Sequence, residues 1–323
     1  MDASEQELNK HIDDIIPTRL DTLLGLCLRL SAANHDQYNE DMKTELLTDD
    51  LQLQMSKILS IQTQEEKEVR QHKDEKLTLT GWESFTFAIE VKWPVSLILN
   101  QKAITCYQMI FRHLFYCKHV ERMLCRVWLC NKVAKRFSEA RQYGAAFALR
   151  QRMLSCLQNL QYYMCVEVIE PNWSNFTAGL NKVTNVDEVL EKHGDFLEAC
   201  LDDCMLTSPP LLQNLTKLCQ VCVQFCQFFQ SHDMTGDSMT KSTDSTAPPA
   251  NSFEQSIHQY DLLFTSSLLT LLNMINDMAK DNNTKKLVNI MYRLNFNSFY
   301  AEKLDYLIME NSRQSQDRDL LRK

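Results

Sequence analysis

The sequence predicts an all-α fold: an irregular bundle of long helices with one small β-hairpin. Apolar residues recur at spacings of three and four along most of the chain, which is the signature of helices with one buried face. Only six Gly and seven Pro occur in 323 residues, too little turn chemistry for a many-stranded sheet. The period drops to two in a single place, the run Phe85, Phe87, Ile89 and Val91, and that run is the β signal. Length alone allows one large helical domain or two smaller ones.

Residues 1–16 are polar and read as a flexible N-terminus. Pro17 suits a first helical position, and Leu20, Leu23, Leu24, Cys27 and Leu28 after it form one stripe ending near Asn34. Thr48 and Asp49 can cap a short helix with Leu51, Met55, Ile58 and Leu59. Residues 62–76 are polar and charged and read as a helix end running into a loop. Leu77 to Val91, interrupted at Gly81, reads as the hairpin, whose aromatic face must pack on helices because two strands do not stand alone in water. Pro94 has no amide hydrogen to donate and holds Trp93 extended, so the strand ends there.

A long helix follows, from about Asn100 to Ser138, with Ile104, Tyr107, Phe111, Leu114, Cys117, Leu124 and Trp128 along one side. After a break near Tyr143 and Gly144 comes a helix closed by Glu170 and Pro171, expected to lie antiparallel to the first. Asn185 with Glu188 opens the next, striped by Val189, His193, Phe196, Cys200 and Cys204. Ser208 and Pro209 open another, with Leu211, Leu215, Leu218, Cys222, Phe225 and Phe229. Residues 232–251 hold too little apolar surface to offset ordering and read as a disordered internal loop. Ser252 with Gln255 caps a final long helix through Ile257, Phe264, Leu268 and Ile275. Shorter helices start near Lys285 and Asn297, and residues 311–323 form a charged tail.

No apolar run reaches the roughly 18 residues that a membrane span needs. The formal charge is −8, yet residues 101–152 carry eleven Lys or Arg against Glu121 and Glu139, a local net of +9 that leaves −17 for the rest. Such a segment suggests an acidic partner, or else a solvated basic face. Cys219, Cys222 and Cys226 have the spacing of metal ligands but lie within one helical stripe without the turn a zinc site uses, so they read as core, and no metal is expected. No G-x-S-x-G, H-E-x-x-H, G-x-G-x-x-G or G-x-x-x-x-G-K motif occurs, so neither an enzyme nor a nucleotide site is expected, and no cofactor. Nucleic acid is not expected as a partner, because the aromatic residues of 101–152 lie on the apolar stripe rather than among the bases and the pI is near 5.5.

The corner Lys92, Trp93, Pro94 and the series Tyr107, Phe111, Leu114, Lys118, Glu121, Leu124 and Trp128 are joined by the segment Leu149 to Leu154 and by the closing Arg293 to Tyr300, with Phe296, Phe299 and Tyr300. Together these resemble the γ-tubulin complex proteins over nearly all of the chain. In that family an N-terminal helical domain makes lateral contacts and a C-terminal one binds γ-tubulin. The resemblance implies that residues 17–310 are the C-terminal domain and that the lateral one is absent from this chain, as in a short isoform or a fragment. Asn295 stands where the family pattern favours Asp.

The implied function is a non-enzymatic scaffold that holds γ-tubulin to template microtubules at the centrosome, spindle pole or another microtubule-organising centre in the cytoplasm. The implied partners are γ-tubulin, other complex proteins (component 3 especially) and, through γ-tubulin, microtubule minus ends. Any GTP belongs to γ-tubulin. Arg112, Lys118, Arg122 and Arg126 are expected to face the acidic partner, with Tyr107, Phe111 and Trp128 in the core; that these bases are merely solvated stays open. The other function class is a basic-helix nucleic-acid or adaptor module.

Overall fold

The structure, a computed structural model, describes residues 2–59, 79–129, 140–237, 250–280, 287–295, 297–300 and 302. Its elements are α1 (Asp2–Leu8), α2 (Pro17–Arg29), β1 (Met42–Leu46), α3 (Leu51–Leu59), α4 (Gly81–Ser84), β2 (Phe85–Ile89), α5 (Gln101–Leu129), α6 (Ala140–Tyr162), α7 (Glu170–Leu180), α8 (Val186–Asp203), α9 (Pro209–Asp237), α10 (Ala250–Lys280) and α11 (Val288–Leu294). The fold is all-α with one small antiparallel sheet. The chain divides into two compact units, one of residues 1–120 with 164–213 and one of 121–163 with 214–323.

In the first unit, the stretch read as a loose N-terminus is built in. Leu8 and Ile15 are core residues, and Glu7 is tied down by Lys10 (2.8 Å) and Arg19 (2.6 Å), so a polar composition hides paired side chains. The expected two-stranded sheet is present, but the partner of β2 comes from further back in the chain: β1 pairs with it, Met42 opposite Ile89 and Leu46 opposite Phe85. Leu79 and Thr80 instead bridge to the segment around His11, with Ile12 N–H donating to Leu79 O at 3.2 Å. Gly81 opens α4, which Thr80 and Glu83 close with reciprocal capping hydrogen bonds. The aromatic face of β2 then packs as expected: Leu8, Ile15, Leu20 and Phe85 form a cluster joined by Leu46, Trp82, Phe87, Phe111 and Phe115. Only Leu20 of the α2 stripe is fully buried, and Leu26 and Leu30 are exposed. Asp50 rather than Thr48 or Asp49 caps α3, accepting from Leu53 N–H at 2.6 Å. Residues 62–76 lie outside the described residues.

α8 carries its expected buried stripe: His193, Phe196, Cys200 and Cys204 are buried and Val189 half-buried. Asn185 precedes it without a side-chain cap, while Glu188 reaches back to Thr184 N–H at 3.4 Å. Phe176 of α7 stacks on Phe196 and Trp173 meets it edge-on, fixing α7 against α8.

In the second unit, α6 runs through Tyr143 and Gly144 without the expected break, because a single Gly costs a helix only about 1 kcal/mol. Nor does Pro171 close the helical run. A π-helical segment, Tyr163–Ile169, carries the chain back into the first unit at α7, where Pro171 occupies the first turn and its missing N–H is no loss. The antiparallel relation holds for the stretch of α5 in the second unit. Arg150 Nε donates to Leu124 O at 2.7 Å and Gln158 Nε2 to Glu121 Oε1 at 3.0 Å, so one helix descends as the other rises. The α9 stripe of Leu215, Leu218, Cys222, Phe225 and Phe229 is buried, and Cys219 and Cys226 are buried beside it. Burial pushes the Cys226 thiol up to about 12, away from the thiolate a metal would bind. α9 continues to Asp237, six residues into the stretch read as a loop, and α10 begins at Ala250, ahead of the expected cap at Ser252. Residues 238–249 lie outside the described residues, as does most of the helix expected from Asn297. No described helix is long and apolar enough to cross a membrane.

Candidate functional site

α5 is the helix on which the basic residues were expected to gather. Asn100 starts it, its Oδ1 accepting from Ala103 N–H at 2.9 Å. More than half its circumference is apolar, so spacing alone does not fix its phase. The deeply buried line is Cys106, Ile110, His113, Cys117, Val120, Leu124 and Val127. The expected line through Tyr107, Phe111 and Leu114 is one position round and half-buried. It faces the sheet, with the Phe111 ring 4.6 Å from Phe87 and 5.2 Å from Phe115. His113 is buried with no hydrogen-bond partner for Nε2 among the described residues, and burial pulls its pKa down to about 4.

The four basic candidates separate. Arg112 is 3% exposed, which corrects the expectation that it faces outward. Its guanidinium donates to Glu83 O (2.7 and 3.1 Å), Gln54 Oε1 (2.6 Å) and Asp49 O (2.8 Å), a clamp on the ends of α3 and α4. Burial pulls its pKa down to about 10, opposed by Asp50, Asp49 and Glu83, so it stays cationic at neutral pH. Lys118 is exposed, and Arg122 and Arg126 are half-buried. Lys118 belongs to the first unit, and Arg122 and Arg126, four apart, share one face of the α5 stretch in the second.

The other motif residues are structural or exposed. Lys92 pairs with Asp41 at 2.8 Å, which raises its pKa. The Trp93–Pro94 bond is cis, and Trp93 is 79% exposed. Glu121 and Leu124 are buried. Trp128 lies in the last turn of α5, its side chain outside the described part, and Phe296 lies outside the described residues. Phe299 and Tyr300 cover Arg152, whose guanidinium carbon sits 5.3 and 5.8 Å from their ring centres and which also pairs with Asp261. Asn295 Oδ1 accepts from Tyr300 N–H at 2.9 Å, a role the Asp of the family pattern would fill equally.

Sequence reasoning missed an apolar groove in the first unit, about 570 Å³, lined by β2, α5, α7 and α8. Across it Tyr107 Oη and His193 Nε2 share a hydrogen bond of 2.9 Å, and burial pushes the Tyr107 phenol up to about 12. The half-buried Ile104, Tyr107 and Phe111 were its signal in the sequence, but only as a helical stripe indistinguishable from core. No group of three or more His, Cys, Asp or Glu that could hold a metal occurs among the described residues. The arrangement offers surfaces for docking: an apolar groove and a basic stripe.

The family profile described as Gamma tubulin complex component C-terminal matches residues 1–300. Over 97% of its length the chain is 43% identical to the gamma-tubulin complex component 2 homolog of Drosophila melanogaster. Over 98% it is 41% identical to gamma-tubulin complex component 2 of Mus musculus. The spindle pole body component alp4 of Schizosaccharomyces pombe is 30% identical over 67% of the chain. The matched part is 39% of each of the first two relatives and 28% of the third, so the chain spans about two-fifths of the length of the first two.

Proposed function

Because the chain belongs to the γ-tubulin complex component family, we propose that it is a non-enzymatic scaffold subunit that binds γ-tubulin and positions it to template microtubule nucleation. The observation that carries this reading is the match to the C-terminal region of that family over residues 1–300. In this reading, each γ-tubulin sits on one complex protein, and a ring of them presents a surface that αβ-tubulin extends, bypassing the unfavourable nucleus of spontaneous assembly. The same reading assigns other complex proteins, component 3 among them, and microtubule minus ends as further partners. It places the protein at the centrosome, spindle pole or another microtubule-organising centre, in line with the name of the alp4 relative.

Lys118, Arg122 and Arg126 supply the electrostatic part of the docking surface, where complementary charge steers encounter and sets register. Arg112 is excluded from that surface by its burial. The test is a γ-tubulin pulldown with Lys118, Arg122 and Arg126 all changed to Glu, in a chain whose circular dichroism is unchanged. Binding should weaken about tenfold or more and, in the wild type, decline with added salt. Undiminished binding would remove the basic stripe from the docking surface.

A further inference from the structure

We propose that the apolar groove of the first unit binds a small, uncharged molecule built on flat rings, with one N–H or O–H donor directed at Tyr107. The inference goes beyond γ-tubulin docking and does not depend on it. At about 570 Å³ the groove falls within the range of roughly 300–1,000 Å³ that small-molecule pockets occupy. Rings line it on both sides, Phe87, Tyr107 and Phe111 on β2 and α5, and Trp173 and Phe176 on α7. The Phe87 and Phe111 rings lie 4.6 Å apart, and Phe176 lies 5.6 Å from Trp173 and 5.6 Å from His193 of α8. Each side is therefore a packed aromatic wall on which a flat molecule can stack. Ile98, Ile104, Leu180 and Val189 fill in between with carbon alone.

The polar groups decide what else the occupant carries. In the 2.9 Å hydrogen bond between Tyr107 Oη and His193 Nε2, whichever atom gives the proton, the phenol oxygen keeps a lone pair for a donor on the ligand. Thr86, wholly buried on the β2 side of the lining, has a hydroxyl with no hydrogen-bond partner among the described residues, a second polar group that the protein leaves unsatisfied. Burial pushes the Tyr107 phenol up to about 12 and lowers His193, so both are neutral at neutral pH. The same desolvation opposes a charge on whatever sits beside them. Exposed charges close in sequence to the lining are of both signs, Lys102, Lys182 and Lys192 against Asp187, Glu191 and Asp195, and so select neither an anion nor a cation. A chain segment is not favoured either. An added strand would meet an edge where Phe85 N–H is already bonded to Gly81 O and Phe87 O to Gln108 Nε2 at 2.9 Å, and the mixed charges fix no register.

The test titrates the full chain with phenylnaphthylamine, a neutral probe of flat rings with one N–H, whose fluorescence rises in apolar surroundings. Saturable binding at a single site per chain is expected. Anilinonaphthalene sulfonate, the same rings with a charge added, should bind about tenfold more weakly or worse. Methylating the probe's nitrogen removes its donor and should weaken binding about fivefold, a difference that Tyr107→Phe should erase. Ile104→Trp and Leu180→Trp, which fill the groove from α5 and from α7, should each weaken binding about tenfold or more with circular dichroism unchanged. The comparison of probes on the unaltered chain serves even where a filled variant fails to fold. Added γ-tubulin should leave the probe in place. Binding that never saturates, equal affinity for the sulfonate, or displacement of the probe by stoichiometric γ-tubulin, which would mark the groove as a protein interface, would overturn the proposal.

Discussion

Arg112 shows how far a residue's type is from its role. One guanidinium satisfies two backbone carbonyls and the Gln54 amide while buried. Removing it orphans those acceptors, so Arg112→Ala should cost about 3 kcal/mol and lower the melting temperature, without any change in salt dependence of binding. A melting temperature equal to the wild type would contradict the clamp. A Glu at this position would confound any binding test by damaging the fold, which is why the charge test leaves it alone. His113 makes a second prediction. Its folded pKa, near 4, lies below the ordinary 6.5, so it is neutral in folded and unfolded chains above pH 6.5 and its stabilising contribution is complete there. As pH falls towards 4 the unfolded chain takes up the proton first, and about 3 kcal/mol is lost. His193, also lowered by burial, acts in the same direction. Denaturant titrations at pH 7 and pH 4.5 should show a smaller loss in His113→Phe than in the wild type; an equal loss would put the proton elsewhere. The sequence displays the base and the imidazole, but not the carbonyls or the apolar walls that decide what they do.

At the scale of elements, helices were legible and their phases less so. The stripes of α8 and α9 were read in phase: their expected residues are buried, Val189 half so. α5 is apolar over too wide an arc, and its buried line sits one position from the expected one. β2 was visible by alternation, whereas its partner β1 reads Met-Lys-Thr-Glu-Leu, whose polar members conceal a strand. Gly81 marks a close approach rather than a hairpin: a Cβ there would lie 2.7 Å from Leu8 O and 2.8 Å from Leu8 Cα. Gly81→Ala should therefore destabilise by about 2 kcal/mol through forced backbone movement. Gly144, with open space around it in α6, should gain about 0.5–1 kcal/mol on the same change. Thermal melts of the two variants should move in opposite directions, and parallel shifts would refute the packing around Gly81.

For the molecule as a whole, the motifs that carried the resemblance are mostly packing positions. The Arg150 side chain donates to the Leu124 carbonyl, Arg152 is covered by Phe299 and Tyr300, and Phe111 seats the sheet. Such residues specify a fold, so the family was legible where the contact surface was not; exposed positions such as Lys118 carry no periodic signal of their own. The central claim is that this chain binds γ-tubulin, and sedimentation-velocity titration of the purified chain with purified γ-tubulin at physiological salt tests it most directly. A saturable complex of one chain per γ-tubulin, weakened by the Lys118, Arg122 and Arg126 reversals, is the predicted result. Two species that sediment independently at every concentration would contradict it.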